Sequence, residues 1–229
     1  LYFQQVFKIL ELWGFEQAKD AYHLGYEMVV LPEGVISSRK GNAPNYDDVR
    51  DLVLTRAAEV IAEKNPEMPK ARRAEVARQI GLGSLKYTML ARDNNKLVTF
   101  DIEEALSFDG HSAPYIQYAH ARACRILENG SDRDPHARLT SVAPEELSLL
   151  QVIARFPEEV QRAAEQYRPL LITNYVYELA KAFSDFYHAC PVLISEEPTR
   201  SARLGLVDAA RQTLANGLAL LGIAAPSQM

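Results

Sequence analysis

Cysteine is scarce in this 229-residue sequence. Cys124 and Cys190 stand far apart with no second cysteine near either, which argues against a zinc site and against a disulfide framework. Both are read as reduced core residues, and no metal site is expected. Long apolar runs are missing too. No stretch approaches the ~18 residues that a membrane-crossing helix needs, and the amino terminus lacks the basic, apolar and small-residue order of a secretory signal. A cytoplasmic location with no membrane partner is expected. Nor is positive charge in excess: 25 Lys and Arg face 30 Asp and Glu, a formal net charge of -5. That balance argues against a protein that coats nucleic acid indiscriminately, because such binding draws its affinity from neutralised phosphates. A localised site stays open, since Arg39 with Lys40, Arg72 with Arg73, and Arg122 with Arg125 gather basic charge. Neither G-x-G-x-x-G nor a Walker loop occurs.

A hydrophobic content of 48% can fill a sizeable core. Phe3, Val6, Phe7 and Leu10 form a helical apolar stripe that is already under way at the first residues, so a longer parent chain is expected. A turn at Gly14, a short helix and a β-branched apolar run at 27–31 complete the outline of an α/β fragment. Residues 32–44, PEGVISSRKGNAP, are dense in Gly, Pro, Ser and Asn and predict a surface loop. Asn45 then caps a helix whose first turn holds Asp47 and Asp48. Periodicity predicts a second helix over 69–92 antiparallel to the first, a short strand at 97–100 and a helical turn near Glu104. Further helices are predicted over 114–128, 144–154, 157–167, 169–189 and 200–222. The polar linker 129–138 has almost nothing to bury and is expected to be disordered.

Three segments carry chemistry. In the loop, Ser37 and Ser38 offer hydroxyls, Arg39 and Lys40 offer charge, and Gly34 and Gly41 let the backbone approach an anion. This is the composition of a phosphate-gripping loop, although a solvated turn has the same ingredients. Next, Tyr115, Tyr118, Arg122 and Arg125 are spaced to share one helix stripe, while Ile116, Ala123 and Leu127 face another way. Aromatic faces stack on unpaired bases for about 1–3 kcal/mol each, and Arg pairs with phosphate or stacks in turn. Splayed single-stranded RNA suits that stripe, and a Tyr-rich helix packed on its neighbours is the alternative. His120 is read as a hydrogen-bonded core histidine. Finally, Val176, Leu179, Phe183 and Phe186 make an apolar stripe with Tyr187 beside its end, where a phenol can meet a ligand. Leu204, Val207, Leu214, Leu218 and Leu221 make the seam of the last helix. Arg211 lies close to that seam and needs an acid such as Asp208.

Four blocks resemble, in order, those of arginyl-tRNA synthetases, a family of class I aminoacyl-tRNA synthetases. GVISSRKG after LPEG resembles the class signature loop Lys-Met-Ser-Lys-Ser in its arginyl variant, with Val35 and Ile36 at the first Lys and the Met. The resemblance gives Ser37, Ser38, Arg39 and Lys40 a role in holding the ATP triphosphate. FDGHSAPYIQYAHARACRIL resembles the GPYVQYAHAR element, with Ala113 for the Gly, and implies that Tyr118 and Arg122 belong to the pocket that receives an anticodon base; Tyr115, on the same stripe, is expected among the tRNA contacts. Tyr187 is assigned to base contact in the same way. DAAR at 208–211 resembles the Asp-Ala-Leu-Arg tetrad, with Ala210 for Leu, and the ending LLGIAAPSQM implies that Met229 reaches the anticodon pocket.

The resemblance implies a mainly α fold: a helical anticodon-binding bundle preceded by a short α/β remnant of a Rossmann-like catalytic domain. The expected divisions are 1–44 for the remnant with its loop, 45–112 for a helical connection and 113–229 for the bundle. The implied parent is an arginine-tRNA ligase that uses ATP and Mg2+ to form arginyl-adenylate, with arginine and its tRNA as partners, no DNA, and a monomeric state. The family's His-Ile-Gly-His signature does not occur, so this chain alone is expected to be inactive. Three alternatives remain: a non-catalytic helical RNA-binding module, a class I synthetase of another specificity, such as the cysteinyl group, and a purely structural helical scaffold, which leaves the loop and the Tyr–Arg stripe unexplained.

Overall fold

The computed structural model describes residues 1–30, 32, 45–130, 132–139 and 141–229. Helix α1 (Tyr2–Leu12) buries none of its residues and ends at Gly14, whose φ of +81° is the left-handed conformation glycine adopts without strain. A 3-10 turn (Glu16–Asp20) leads to β1 (Val29–Val30), which pairs in parallel with β2 (Val98–Thr99), Val29 opposite Val98 and Val30 opposite Thr99. Within the apolar run at 27–31, Val29 and Val30 are the described residues that form strand, and the described neighbour is equally brief.

Between the strands, α2 (Tyr46–Lys64) and α3 (Lys70–Leu90) form an antiparallel hairpin. The backbone N–H of Asn45 donates to the Asp48 carboxylate at 2.9 Å and fixes the start of α2. Val53, Ala57 and Ile61 pack on Val76, Ala77 and Ile80, and this core is closed by Phe100, Leu106 and α4 (Ile102–Ala105), which Asp101 caps. A second core joins α5 (Ala113–Asn129), α6 (Pro144–Ala154), α7 (Phe156–Glu165), α8 (Leu170–Ala189) and α9 (Thr199–Leu220). Its centre is the predicted stripe of α8, Val176, Leu179, Phe183 and Phe186, against Leu204, Val207, Leu214 and Leu218 of α9. The two cores are bound together by α3. Its Tyr87 enters the second core, where the buried hydroxyl donates to the Thr173 carbonyl at 3.2 Å.

The architecture is mainly α with a minimal parallel sheet, as expected. The linker differs from expectation. Arg133 donates to the Asp208 carboxylate at 2.8 Å, the Asp134 N–H donates to Ser201 Oγ at 3.0 Å, and Arg200 donates to the Asp132 carbonyl at 2.9 Å. Polar composition does not free residues 132–134, because α9 supplies partners for the groups that cannot be buried. Both cysteines are free, Cys190 buried and Cys124 half-buried.

Candidate nucleic-acid interface

Helix α5 begins where Ser112 Oγ accepts from the Tyr115 N–H, with Pro114 in the first turn. Ala113 at this start is fully buried, a place where a small side chain is needed. The cap sets the rotation of the helix. Ile116, Ala119, Ala123 and Ile126 face the core, while Tyr118, Arg122 and Arg125 line a cleft of about 600 Å3. Tyr187 from the end of α8 forms another wall. The loop between α2 and α3 adds Glu67, Met68 and Pro69, and the carboxy-terminal tail adds Ser227, Gln228 and Met229.

The centre of the cleft is a stack of three side chains. The Arg122 guanidinium carbon lies 4.7 Å from the ring centre of Tyr118 and 4.9 Å from that of Tyr187. Both rings are about two-fifths exposed, at 41% and 40%. Phe108 meets Tyr118 edge-on at 6.5 Å, and Lys64 lies 4.9 Å over Phe108. Arrayed aromatic faces, a planar cation and an open mouth can take an unpaired base by stacking, with the guanidinium donors directed at its polar edge or at phosphate. Glu67 and Glu128 rim the cleft with acceptors for exocyclic amines.

Four of the five residues expected to contact tRNA meet in this cleft: Tyr118, Arg122, Tyr187 and Met229. Tyr115 is not brought there. Its ring lies half-buried, 5.6 Å from Tyr177, and Tyr177 stacks on His111 at 3.5 Å. Ser37, Ser38, Arg39 and Lys40 lie outside the described residues.

Met229 reaches the cleft because the tail is clamped along α5. Gln117, fully buried, donates from Nε2 to the Ala224 carbonyl at 2.8 Å and to the Gln79 carbonyl at 3.3 Å. His120 Nδ1 donates to the Pro226 carbonyl at 2.9 Å. Burial pushes this imidazole below its ordinary pKa, the bond to Pro226 partly opposes the shift, and the charge of Arg211 adds to it. Lys86 donates to the Gly222 carbonyl, and Met229 packs on the core of the α2–α3 hairpin. Gly83 permits the close approach, since a Cβ there would lie 3.0 Å from Gln117 Nε2 and 3.1 Å from Ile223 Cγ2. His120 is the hydrogen-bonded core histidine that the sequence suggests, whereas Gln117 sat unmarked within an alanine-rich helix; the tail carbonyls that both bind are about a hundred residues away.

The tetrad at 208–211 is a structural pair. Arg211 donates from Nε and Nη2 to one Asp208 oxygen at 3.0 and 2.8 Å, and Arg133 takes the other. Burial would raise the Asp208 carboxyl, but the hydrogen bonds and charges of Arg133 and Arg211 outweigh it and hold the pKa low.

Residues 1–102 match the family model for the catalytic domain of class I (R) tRNA synthetases, and residues 116–229 match that for the DALR anticodon binding domain. The arginine-tRNA ligase of Clostridioides difficile is 39% identical over 236 aligned residues, covering all of this chain and 40% of the relative. That of Thermococcus kodakarensis is 40% identical, covering 96% of this chain and 36% of the relative. The chain belongs to the arginyl-tRNA synthetase family. It superposes on the Thermus thermophilus arginyl-tRNA synthetase with a TM-score of 0.90 at 37% identity, covering 98% of this chain and 38% of that one. The arginyl-tRNA synthetase of Plasmodium falciparum, at 18% identity and a TM-score of 0.78, shares the fold. The chain therefore spans about two-fifths of the length of the curated relatives it matches. The cleft lies between elements covered by the two family models: the loop at 67–69 falls in the first match and the Tyr–Arg stack in the second.

Proposed function

We propose that this chain is the tRNA-binding part of an arginine-tRNA ligase, and that the cleft around Tyr118, Arg122, Tyr187 and Met229 receives a base of the anticodon. The observation that carries this is the Tyr118–Arg122–Tyr187 stack, open to solvent on one side and backed by a clamped tail. Single-stranded bases in an RNA loop are the ligands such a stack suits, because every base has a face to stack and an edge to pair. In the whole protein, ATP with Mg2+ and arginine are the other reactants, arginyl-adenylate is the intermediate, and Ser37, Ser38, Arg39 and Lys40 hold the triphosphate. The divisions at 1–44, 45–112 and 113–229 separate loop-bearing remnant, connection and bundle. A monomer in the cytoplasm, free of DNA, completes the proposal. It is compatible with the described helices, none of which is long and apolar enough to cross a membrane.

The test is binding of the chain to arginine tRNA and to a transcript whose central anticodon base is changed, across a range of salt. Selective loss on the altered transcript is expected. Equal binding to both would remove base recognition from the cleft.

A further inference from the structure

A second cavity, of about 320 Å3, opens beside the sheet. Its walls are Thr88 and Arg92 from the end of α3, Thr99 of β2, Asp101 and Glu104 at α4, His111 before α5, and Asn174 on α8. Five elements converge there, and their polar groups are not used up in holding the fold. Asp93 next door pairs with Arg168, whereas Arg92 has no carboxylate partner among the described residues. The side chains of Thr88, Thr99, Glu104 and Asn174 likewise make no hydrogen bond among the described residues. Asp101 spends one oxygen capping α4, on the N–H groups of Glu103 and Glu104 at 2.8 and 3.0 Å.

The cavity adjoins the aromatic group that includes Tyr115, the residue the first cleft leaves out. His111, a wall of the cavity, stacks on Tyr177 at 3.5 Å, and Tyr177 lies 5.6 Å from Tyr115. Tyr115 is one helical turn before Tyr118, a wall of the first cleft. The segment from Phe108 to His111 links the two sites, since Phe108 meets Tyr118 of the first cleft and His111 lines the second cavity.

Resting on the function proposed above, we propose that this second cavity is a nucleotide subsite that takes the ribose and phosphate of a neighbouring residue on the same RNA strand. Arg92 supplies the phosphate contact and is the one guanidinium among the described residues of the cavity wall. Free phosphate fits poorly, because Asp101 and Glu104 repel it. A ribose turns those carboxylates into partners, since its 2′-hydroxyl can donate to them while Asn174 and Thr88 pair with its oxygens. The exposed face of His111 offers a base a place to stack.

The experiment measures binding of an arginine-tRNA anticodon stem-loop to the chain and to Arg92→Ala, Arg92→Lys and Arg122→Ala over a salt series. Thermal melting of each variant checks the fold. Arg92→Ala is expected to weaken binding several-fold and to lower the salt slope by about one contact, while the discrimination against a changed central anticodon base is unaltered. Arg92→Lys should restore the slope. A set of stem-loops, each with one 2′-deoxy position, should reveal one position outside the recognised base where the unaltered chain loses affinity and Arg92→Ala loses less. If Arg92→Ala matches the unaltered chain in affinity and slope while Arg122→Ala binds poorly, the second subsite is wrong and the first cleft stands. If Arg122→Ala and Arg92→Ala both bind as the unaltered chain does, or the unaltered chain does not bind, both proposals fall.

Discussion

Arg122 lies between two phenol rings, so its contribution depends on shape as well as charge. Arg122→Ala should remove both the cation and the filling of the stack, weakening RNA binding by about 1–3 kcal/mol in a filter or anisotropy assay. Arg122→Lys should recover little of this, since an ammonium neither stacks flat nor pairs through two parallel donors. Full recovery by Lys would mean that charge alone matters. Stability turns on a different arginine. Glu146 is fully buried and accepts from Arg203 at 2.6 Å and from the Ala143 N–H at 2.7 Å. Glu146→Ala leaves Arg203 without its carboxylate partner, with only the Pro191 carbonyl and Ser195 Oγ to accept from it, and a loss of about 3 kcal/mol is expected in urea unfolding. His120 adds a pH dependence of defined sign. Its folded pKa is depressed, so below the ordinary value near 6.5 the unfolded chain binds a proton that the folded chain resists. Stability from this group is present at neutral pH and lost on acidification. The fall in melting temperature between about pH 7.5 and about pH 5.5 should be smaller in His120→Asn, and an equal fall would show that another group is responsible.

Among the helices, close crossing matters most where α8 meets α9. A Cβ at Gly217 would sit 2.3 Å from Val176 Cγ1, so the fully buried Val176 side chain, stiff at χ1 in a helix, would have to shift. Gly217→Ala is expected to cost about 1–3 kcal/mol although alanine is the better helix former, and a gain in melting temperature would contradict the crossing described here. The longer helices were legible because each carries a run at helical spacing, with Asn45 marking the start of α2. The strands were less so. Val29 and Val98 make a strand only by meeting each other, and nothing local to either marks its length. The stripe on α5 was legible as a stripe, yet spacing could not show that α8 leaves Tyr118 open and covers Tyr115 with Tyr177. The linker misled for the same reason, since the groups that hold Asp132, Arg133 and Asp134 are on α9.

The walls of the first cleft come from residues 67–69, 118–128, 187 and 227–229, so no single part of the chain can supply the site. A ligand held there is held only by molecules in which all four stretches have arrived, and the unfolded chain competes for it weakly. RNA should then act as a thermometer of complete folding. At a hundredfold excess over its dissociation constant it would add about 2.7 kcal/mol to unfolding free energy. It would also slow hydrogen exchange in the α2–α3 hairpin as well as in the bundle, although the stacking residues belong to the bundle alone.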